Sequence, residues 1–225
     1  MTVLAFDCAV NGLGVAVVRG GACLAGLSEG GRDQAARLLP AIGSVLADAA
    51  IDRRQVSLVA VTIGPGSFTG VRVGLAAARG LAVGLAVPLA GFATTAVLLA
   101  QAAARDRLVV AAIDSRLGDW FCAIGDGGDA EPFVSSAHDL AVRIAGRPCL
   151  VVGRGAEMLA GELLPAGIDA LAEEAIPDAV TLARLAANVG IDAWRRRNAE
   201  EGLPRPLYLR GVNITLPDGV RRTVD

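Results

Sequence analysis

The sequence predicts an α/β fold built from one βββαβα plan used twice. Three observations carry this. Short apolar runs alternate with amphipathic helical stretches from residue 2 onward. A strand that ends in Asp, then a short turn and a returning strand, occurs at "TVLAFDCAVNGLGVAVVRGG" and again at "RLVVAAIDSRLGDWFCAIGDGG". The elements after each copy follow in similar order, as an internal duplication would require. The division falls near Arg105–Arg107, giving units of 1–105 and 106–225.

Along the first unit, "TVLAFD" reads as a buried strand, and "GLGVAVVRG" and "ACLAGLSEG" as a hairpin around Gly20-Gly21. Ala35, Leu38, Leu39, Ile42, Leu46 and Ala49 recur at helical spacing, predicting an amphipathic helix over 32–50 with a bend at Pro40. "VSLVAVTI" is a buried strand. A glycine-rich loop and a small-residue helix over 69–84 follow, then the strand "VPLAGF" and a helix over 94–104. In the second unit "EPFVSS" supplies a strand, 136–146 a helix, "PCLVVG" a strand, and 178–197 one long helix.

Composition excludes several chemistries. The chain of 225 residues carries a formal net charge of −2, which is not the footprint of a protein that grips nucleic acid alone. All its basic residues are Arg, so Schiff-base chemistry, a Ser-Lys dyad and a Walker lysine are absent. Cys8, Cys23, Cys122 and Cys149 are widely spaced and read as reduced, mostly buried thiols of a cytoplasmic protein. His138 is the sole histidine and sits at a helix start, so no metal site is expected. Residues 81–104 are uncharged and long enough to span a bilayer, but Pro88, Gly91, Thr94 and Thr95 divide them, and no membrane is expected. The opening "MTVLAFDCAV" reads as a strand rather than a signal peptide.

The loop Gly64-Pro65-Gly66-Ser67-Phe68-Thr69-Gly70 admits two readings. It can cradle a phosphate at a helix N-terminus, with Ser67 or Thr69 as cap, or it can be a tight strand-to-helix turn. Behind it, Val71, Leu75, Ala78 and Leu85 form one apolar face, and Val73, Ala77, Gly80 and Gly84 put small residues on much of the rest. Such a helix can be buried on two sides, against its sheet and against another helix. Arg72 and Arg79 lie on one stripe, either solvated or ion-paired across an interface.

"IGPGSFTGVRVGLAAARGLA" resembles the signature of the TsaB (YeaZ) family. "VLAFDCAVNGLGVAVV", "RLLPAIGSVL" and "RPLYLRGVN" resemble the family's opening hairpin, first helix and C-terminal motif. The resemblance implies an actin/Hsp70-like (ASKHA) fold of two related domains. It also implies a non-catalytic partner of TsaD which, with TsaE, supports transfer of threonylcarbamoyl to N6 of adenosine 37 in tRNAs reading ANN codons. Contact with TsaD is then expected through a four-helix arrangement using Ala35, Leu38, Leu39, Ile42 and Leu46 of the first helix. The second helix would add Phe68, Thr69, Arg72, Val73, Ala76, Ala77, Arg79 and Gly80. The same face would form a homodimer without TsaD. tRNA is touched only indirectly, and ATP and Mg²⁺ belong to the complex rather than to this chain.

The catalytic relative carries H-x-x-x-H on its first helix, where this chain reads "RDQAARLLP". Asp7, Asn11, Gly12, Gly64, Gly66, Ser67 and Asp114 fall where kinases of this fold class hold nucleotide and Mg²⁺. Here they read as vestigial nucleotide loops. The competing reading is an ASKHA enzyme acting alone, a phosphotransferase or a peptidase. "WRRRN" (194–198) is basic enough to touch RNA, but arginines also complement a helix C-terminus.

Overall fold

The computed structural model describes residues 1–225 except 11, 32, 103–105, 126–129, 211, 216–220 and 225. The first sheet contains β1 (Thr2–Asp7), β2 (Gly12–Arg19), β3 (Ala22–Gly30), β4 (Leu58–Thr62) and β5 (Leu89–Phe92), in the order β3-β2-β1-β4-β5. The second contains β6 (Leu108–Asp114), β7 (Trp120–Ile124), β8 (Phe133–Ser135), β9 (Cys149–Gly153) and β10 (Ala170–Glu174), in the order β10-β9-β6-β7-β8. Both follow one rule. The first three strands form an antiparallel meander, and the fourth and fifth add in parallel beside the first. The duplicated plan is therefore present in the sheets themselves.

The helices are α1 (Gln34–Asp48), α2 (Phe68–Leu85), α3 (Thr94–Gln101), α4 (Ala137–Ile144), α5 (Ala156–Leu163), α6 (Ala179–Val189) and α7 (Ile191–Glu201). A separate hairpin pairs β11 (Val212–Thr215) with β12 (Arg221–Val224). Side chains alternate across a strand, so β1, β2, β4 and β5 each feed two cores, while the mostly exposed β3 packs on one. Leu4, Phe6, Val15, Val59 and Val61 meet Leu38 and Ile42 of α1 and Leu75 of α2. Val3, Ala5, Val18, Leu58 and Ala60 meet Val97 of α3, Leu182 and Ala186 of α6 and Trp194 of α7. On the second sheet, Val110, Ala112, Cys122 and Val151 meet Leu140 and Ile144 of α4 and Leu159 and Leu163 of α5. A fourth cluster joins the halves, with Ala9, Val10 and Val71 against Ile113, Ala123 and Val152.

Several expectations hold locally. Gly20 (φ 58°) and Gly21 (φ 85°) make the β2–β3 turn, where both central residues need positive φ. Ser67 caps α2 by accepting the Gly70 N–H at 3.2 Å. Cys8, Cys122 and Cys149 are buried and free; Cys23 is free and exposed. Residues 81–104 are divided into the end of α2, β5 and α3. The structure shows α2 long and apolar enough by composition to cross a bilayer; it packs against β4.

Others are refined or corrected. α1 continues through Pro40 as one helix with no restarted turn; the carbonyl that loses its donor belongs to Ala36, an exposed residue that can be solvated. The single helix over 178–197 is two helices, because Gly190 (φ 89°, ψ 148°) leaves helical geometry between them. α5 and β10 were not legible. α5 has eight residues, and β10 is mostly exposed. Residues 103–105, where the division at 105/106 was expected, lie partly at and before that point and outside the described residues. The first sheet's strands all precede it and the second's all follow, while α6 and α7 return to pack on the first sheet.

Candidate functional site

The strand-end Asp7 is not open to a ligand. It is 2% exposed and accepts the Thr62 hydroxyl and, at 3.0 Å, the Ala9 N–H. Burial raises its pKa to about 6, against the lowering effect of those hydrogen bonds. The glycine-rich loop lies directly on the turn that follows. The Ser67 N–H donates to the Ala9 carbonyl at 2.7 Å. A Cβ on Gly66 would stand 2.3 Å from that same oxygen, and one on Gly70 would stand 2.0 Å from the Cys8 carbonyl. These two glycines are needed for close approach of two backbone segments. Ser67 and Gly70 N–H groups are both spent inside the chain. The loop is a tight turn clamped on the β1–β2 connection. Asn11 lies outside the described residues. Gly12 (φ 152°) fits against the Glu29 carbonyl, 2.5 Å from its ideal Cβ, and so serves the hairpin. The Thr94 N–H donates to the Gly64 carbonyl at 2.7 Å, which ties the loop to α3.

Burial pushes the Cys8 thiol up to about 12, with the Asp7 charge adding to it, and burial pushes Cys122 to about 12. Neither is a nucleophile at neutral pH. His138 is exposed on α4, whose cap is Ser136 rather than His138. Among the described residues no group of three or more His, Cys, Asp or Glu side chains converges as a metal would need.

Asp114 differs from its counterpart. It is half-buried and lines a cavity of about 610 Å³ between the two sheets. One wall of that cavity is Ala9, Val10, Gln34 and the start of α2 at Ser67, Phe68 and Thr69. The other is Ile113, Asp114, Ser115, Arg116, Phe121 and Arg154. Asp114 Oδ1 accepts the Arg116 N–H at 2.7 Å. Sequence reasoning singled out Asp114 and Ser67 but missed Arg116 and Arg154.

α1 and α2 lie side by side on the same face of the first sheet. Of the residues read as an interface, Leu38 (1% exposed) and Ile42 (4%) belong to the chain's own core. Helical periodicity gives an apolar stripe but not its outer neighbour, and the stripe is what the sheet buries. Leu46, Val73 and Ala77 are half-buried against that core. The exposed members are Ala35, Leu39, Phe68, Thr69, Arg72, Ala76 and Gly80. Val83, at 71% exposure, extends this surface and was missed.

Both arginines are engaged within the chain. Arg79 donates through Nε (3.1 Å) and a terminal nitrogen (2.6 Å) to the Pro204 carbonyl. Arg72 donates to the Tyr208 hydroxyl at 2.9 Å and lies over the Phe68 ring at 3.5 Å. The segment 203–210 is therefore a strap along α2. Leu207 N–H donates to the Ile63 carbonyl at 2.8 Å, and Arg210 pairs with Asp119 in the second half. The motif "RPLYLRGVN" was the available signal for this strap.

Two sheets with one strand order, α helices on their faces and a cleft between them define an actin-like protein of the ASKHA class. The ROK hexokinase of Thermus thermophilus shares that fold, with a TM-score of 0.52 at 14% identity over 84% of this chain and 99% of the hexokinase. The family described as "TsaD: tRNA N6-adenosine threonylcarbamoyltransferase" matches residues 28–148. YeaZ from Pseudomonas aeruginosa matches with a TM-score of 0.74 and 30% identity over 92% of this chain and 99% of the YeaZ chain. Within the class, this chain belongs to the TsaB (YeaZ) family. The tRNA threonylcarbamoyladenosine biosynthesis protein TsaB of Escherichia coli K12 is 36% identical over 126 residues, 55% of this chain and 54% of that protein. The chain thus spans about half the length of the curated TsaB relatives it matches.

Proposed function

We propose that this chain takes part in threonylcarbamoyladenosine formation on tRNA as a non-catalytic subunit that binds a TsaD-type partner. The observation that carries this reading is the α1–α2 surface. It exposes Leu39, Phe68 and Val83 beside the small residues Ala76 and Gly80, on helices held rigidly by a sheet. Small residues let a partner's helices approach closely, and the large apolar ones supply the area to bury. Family membership supports the same reading, and so does the internal use of Asp7 and of the glycine-rich loop.

In this reading the chain acts by mass action. Binding only the competent state of the partner raises that state's population, by no more than the difference in affinity. ATP and Mg²⁺ are held by the complex, TsaE completes it, and tRNA reading ANN codons is contacted chiefly by the other subunits, in the cytoplasm. Without its partner the face closes on a second copy as a two-fold dimer.

The test is reconstitution with cognate TsaD, TsaE, ATP, threonylcarbamoyl-adenylate and an ANN-decoding tRNA, read by nucleoside mass spectrometry. Omitting this chain abolishes product, and Ser67→Ala or Asp114→Ala leaves most of it. Full product without the chain overturns the proposal. So does loss of product in those variants while the complex still forms.

A further inference from the structure

The glycines of α2 divide into two kinds. Gly70 and Gly74 face inward, where an added Cβ would meet the Cys8 carbonyl at 2.0 Å and the Val61 side chain at 3.5 Å. Gly80 and Gly84 are exposed, and an added Cβ would meet nothing within 4 Å. Both lie inside the helix, where glycine is less favourable than alanine. The chain's own packing does not require them. Small residues alone admit any close neighbour, and the charges beside them are more selective.

Gly80, Leu81, Gly84 and Leu85 line a groove of about 450 Å³ together with Arg53 and Arg54. These arginines belong to neither α1 nor α2. They stand on the 3₁₀ turn Arg53–Gln55, which precedes β4 and is fixed by its own caps. The Asp52 side chain accepts the Arg54 N–H at 2.8 Å, and the Gln55 side chain accepts the Asp52 N–H at 2.9 Å. Both arginines are exposed, and among the described residues neither side chain has an ion pair.

The positive charge continues along α2, which carries no Asp or Glu. Its Arg72 and Arg79 donate to neutral acceptors, the Tyr208 hydroxyl and the Pro204 carbonyl, so their charges are not cancelled. The helix and the turn together set four guanidiniums against the carboxylate of Asp52, which is directed to the turn's own backbone. Asp48, the last residue of α1, lines no part of the groove. The C-terminus of α2 adds only about half a negative charge. The whole chain has a net charge of −2, so the positive excess here is local.

We propose that this groove seats the acidic end of a helix of the TsaD-type partner, its backbone close over Gly80 and Gly84 and its carboxylates on Arg53 and Arg54. The inference rests on the partner role above and specifies the partner's chemistry at one end of that surface. Glycines admit a helix backbone, and guanidiniums pair with carboxylates through two parallel hydrogen bonds. Leu81 and Leu85 make the rest of the groove apolar, which suits a helix rather than a phosphate backbone.

The test is surface plasmon resonance between the full chain and its cognate TsaD-type partner at about 0.05 M and about 0.5 M salt. Arg53→Gln combined with Arg54→Gln should weaken association about tenfold at low salt, chiefly through the on-rate, and far less at high salt. Arg195→Gln combined with Arg196→Gln removes the same charge from α7, whose Trp194 packs on the opposite face of the first sheet, and should change nothing. Gly84→Ala should raise the chain's melting temperature and yet weaken association about tenfold. Gly161→Ala on α5, equally open, should raise the melting temperature and leave association unchanged. Partner binding that Ala76→Glu weakens but the Arg53/Arg54 variant does not overturns this inference and leaves the partner role standing. So does parental affinity in Gly84→Ala, or an Arg53/Arg54 variant that spares the partner and weakens tRNA binding instead. No association of the parent chain at all overturns the partner role, and the inference with it.

Discussion

Asp7 and Asp114 close the first strands of their respective sheets, and each carboxylate accepts a backbone N–H two residues on. From there the halves diverge. In the first, the turn after Asp7 is covered by Gly66 and Gly70, and the carboxylate is sealed beneath it with Thr62. In the second, the turn after Asp114 faces the cleft and carries Arg116. The β4–α2 connection can press its backbone onto the first turn because two glycines remove the side chains that would prevent it. The comparison teaches that one inherited turn became a packing element while its copy stayed accessible.

The sharpest way to break that comparison is to put a methyl group into the clamp. Gly70→Ala should lose about 3 kcal/mol in urea unfolding, since overpacking against the Cys8 carbonyl exceeds the roughly 1 kcal/mol of helix propensity gained. Gly118→Ala in the open turn has nothing within 4 Å of its Cβ and a φ of 86°. It should cost only about 1 kcal/mol, from backbone conformation alone. Equal losses at the two sites would show that the halves are equally packed there.

Titration sharpens the same contrast. The folded pKa of Asp7, about 6, lies above its unfolded value near 3.8. The native state therefore binds the proton more tightly, and this group's contribution to stability falls as pH rises from about 4 to about 6. The gap of roughly two pH units corresponds to an order of 3 kcal/mol. Relative to Asp7→Asn, the parent chain should gain about that much between pH 7 and pH 4, measured as urea midpoints for both chains. A constant difference across that range would mean that Asp7 is solvated in the native state.

The helices after the fourth strands offer a third test. Ala76→Glu on α2 should weaken association with the TsaD-type partner at least about a hundredfold by burying an unpaired charge. Met158→Glu on α5, also an exposed position, should leave association unchanged by sedimentation. Ala77 is unsuitable for this purpose, because it packs on the chain's own core. The smallest effect belongs to Asp114→Ala, which removes one half-exposed acceptor from the Arg116 N–H and should cost about 1 kcal/mol in urea unfolding.

Local periodicity and turn chemistry were enough to read the two meanders, the Gly20-Gly21 hairpin, the Ser67 cap and the family signature around residues 61–80. Each depends on residues close in the chain. α5 and β10 escaped because a short helix and an exposed edge strand carry little apolar pattern. Tertiary structure alone decided which side of α1 is free, burying Leu38 and Ile42 and leaving Leu39 outside. It engaged Arg72 with Tyr208, 136 residues away, and Arg79 with Pro204, 125 away. It also brought Gly66 and Gly70 onto a turn near residue 9 and joined the turns of Arg116 and Arg154 through one backbone hydrogen bond. Sequence determines which residues can tolerate such approaches. The packing of distant segments determines which approaches occur, because close contact depends on where two backbones meet in space.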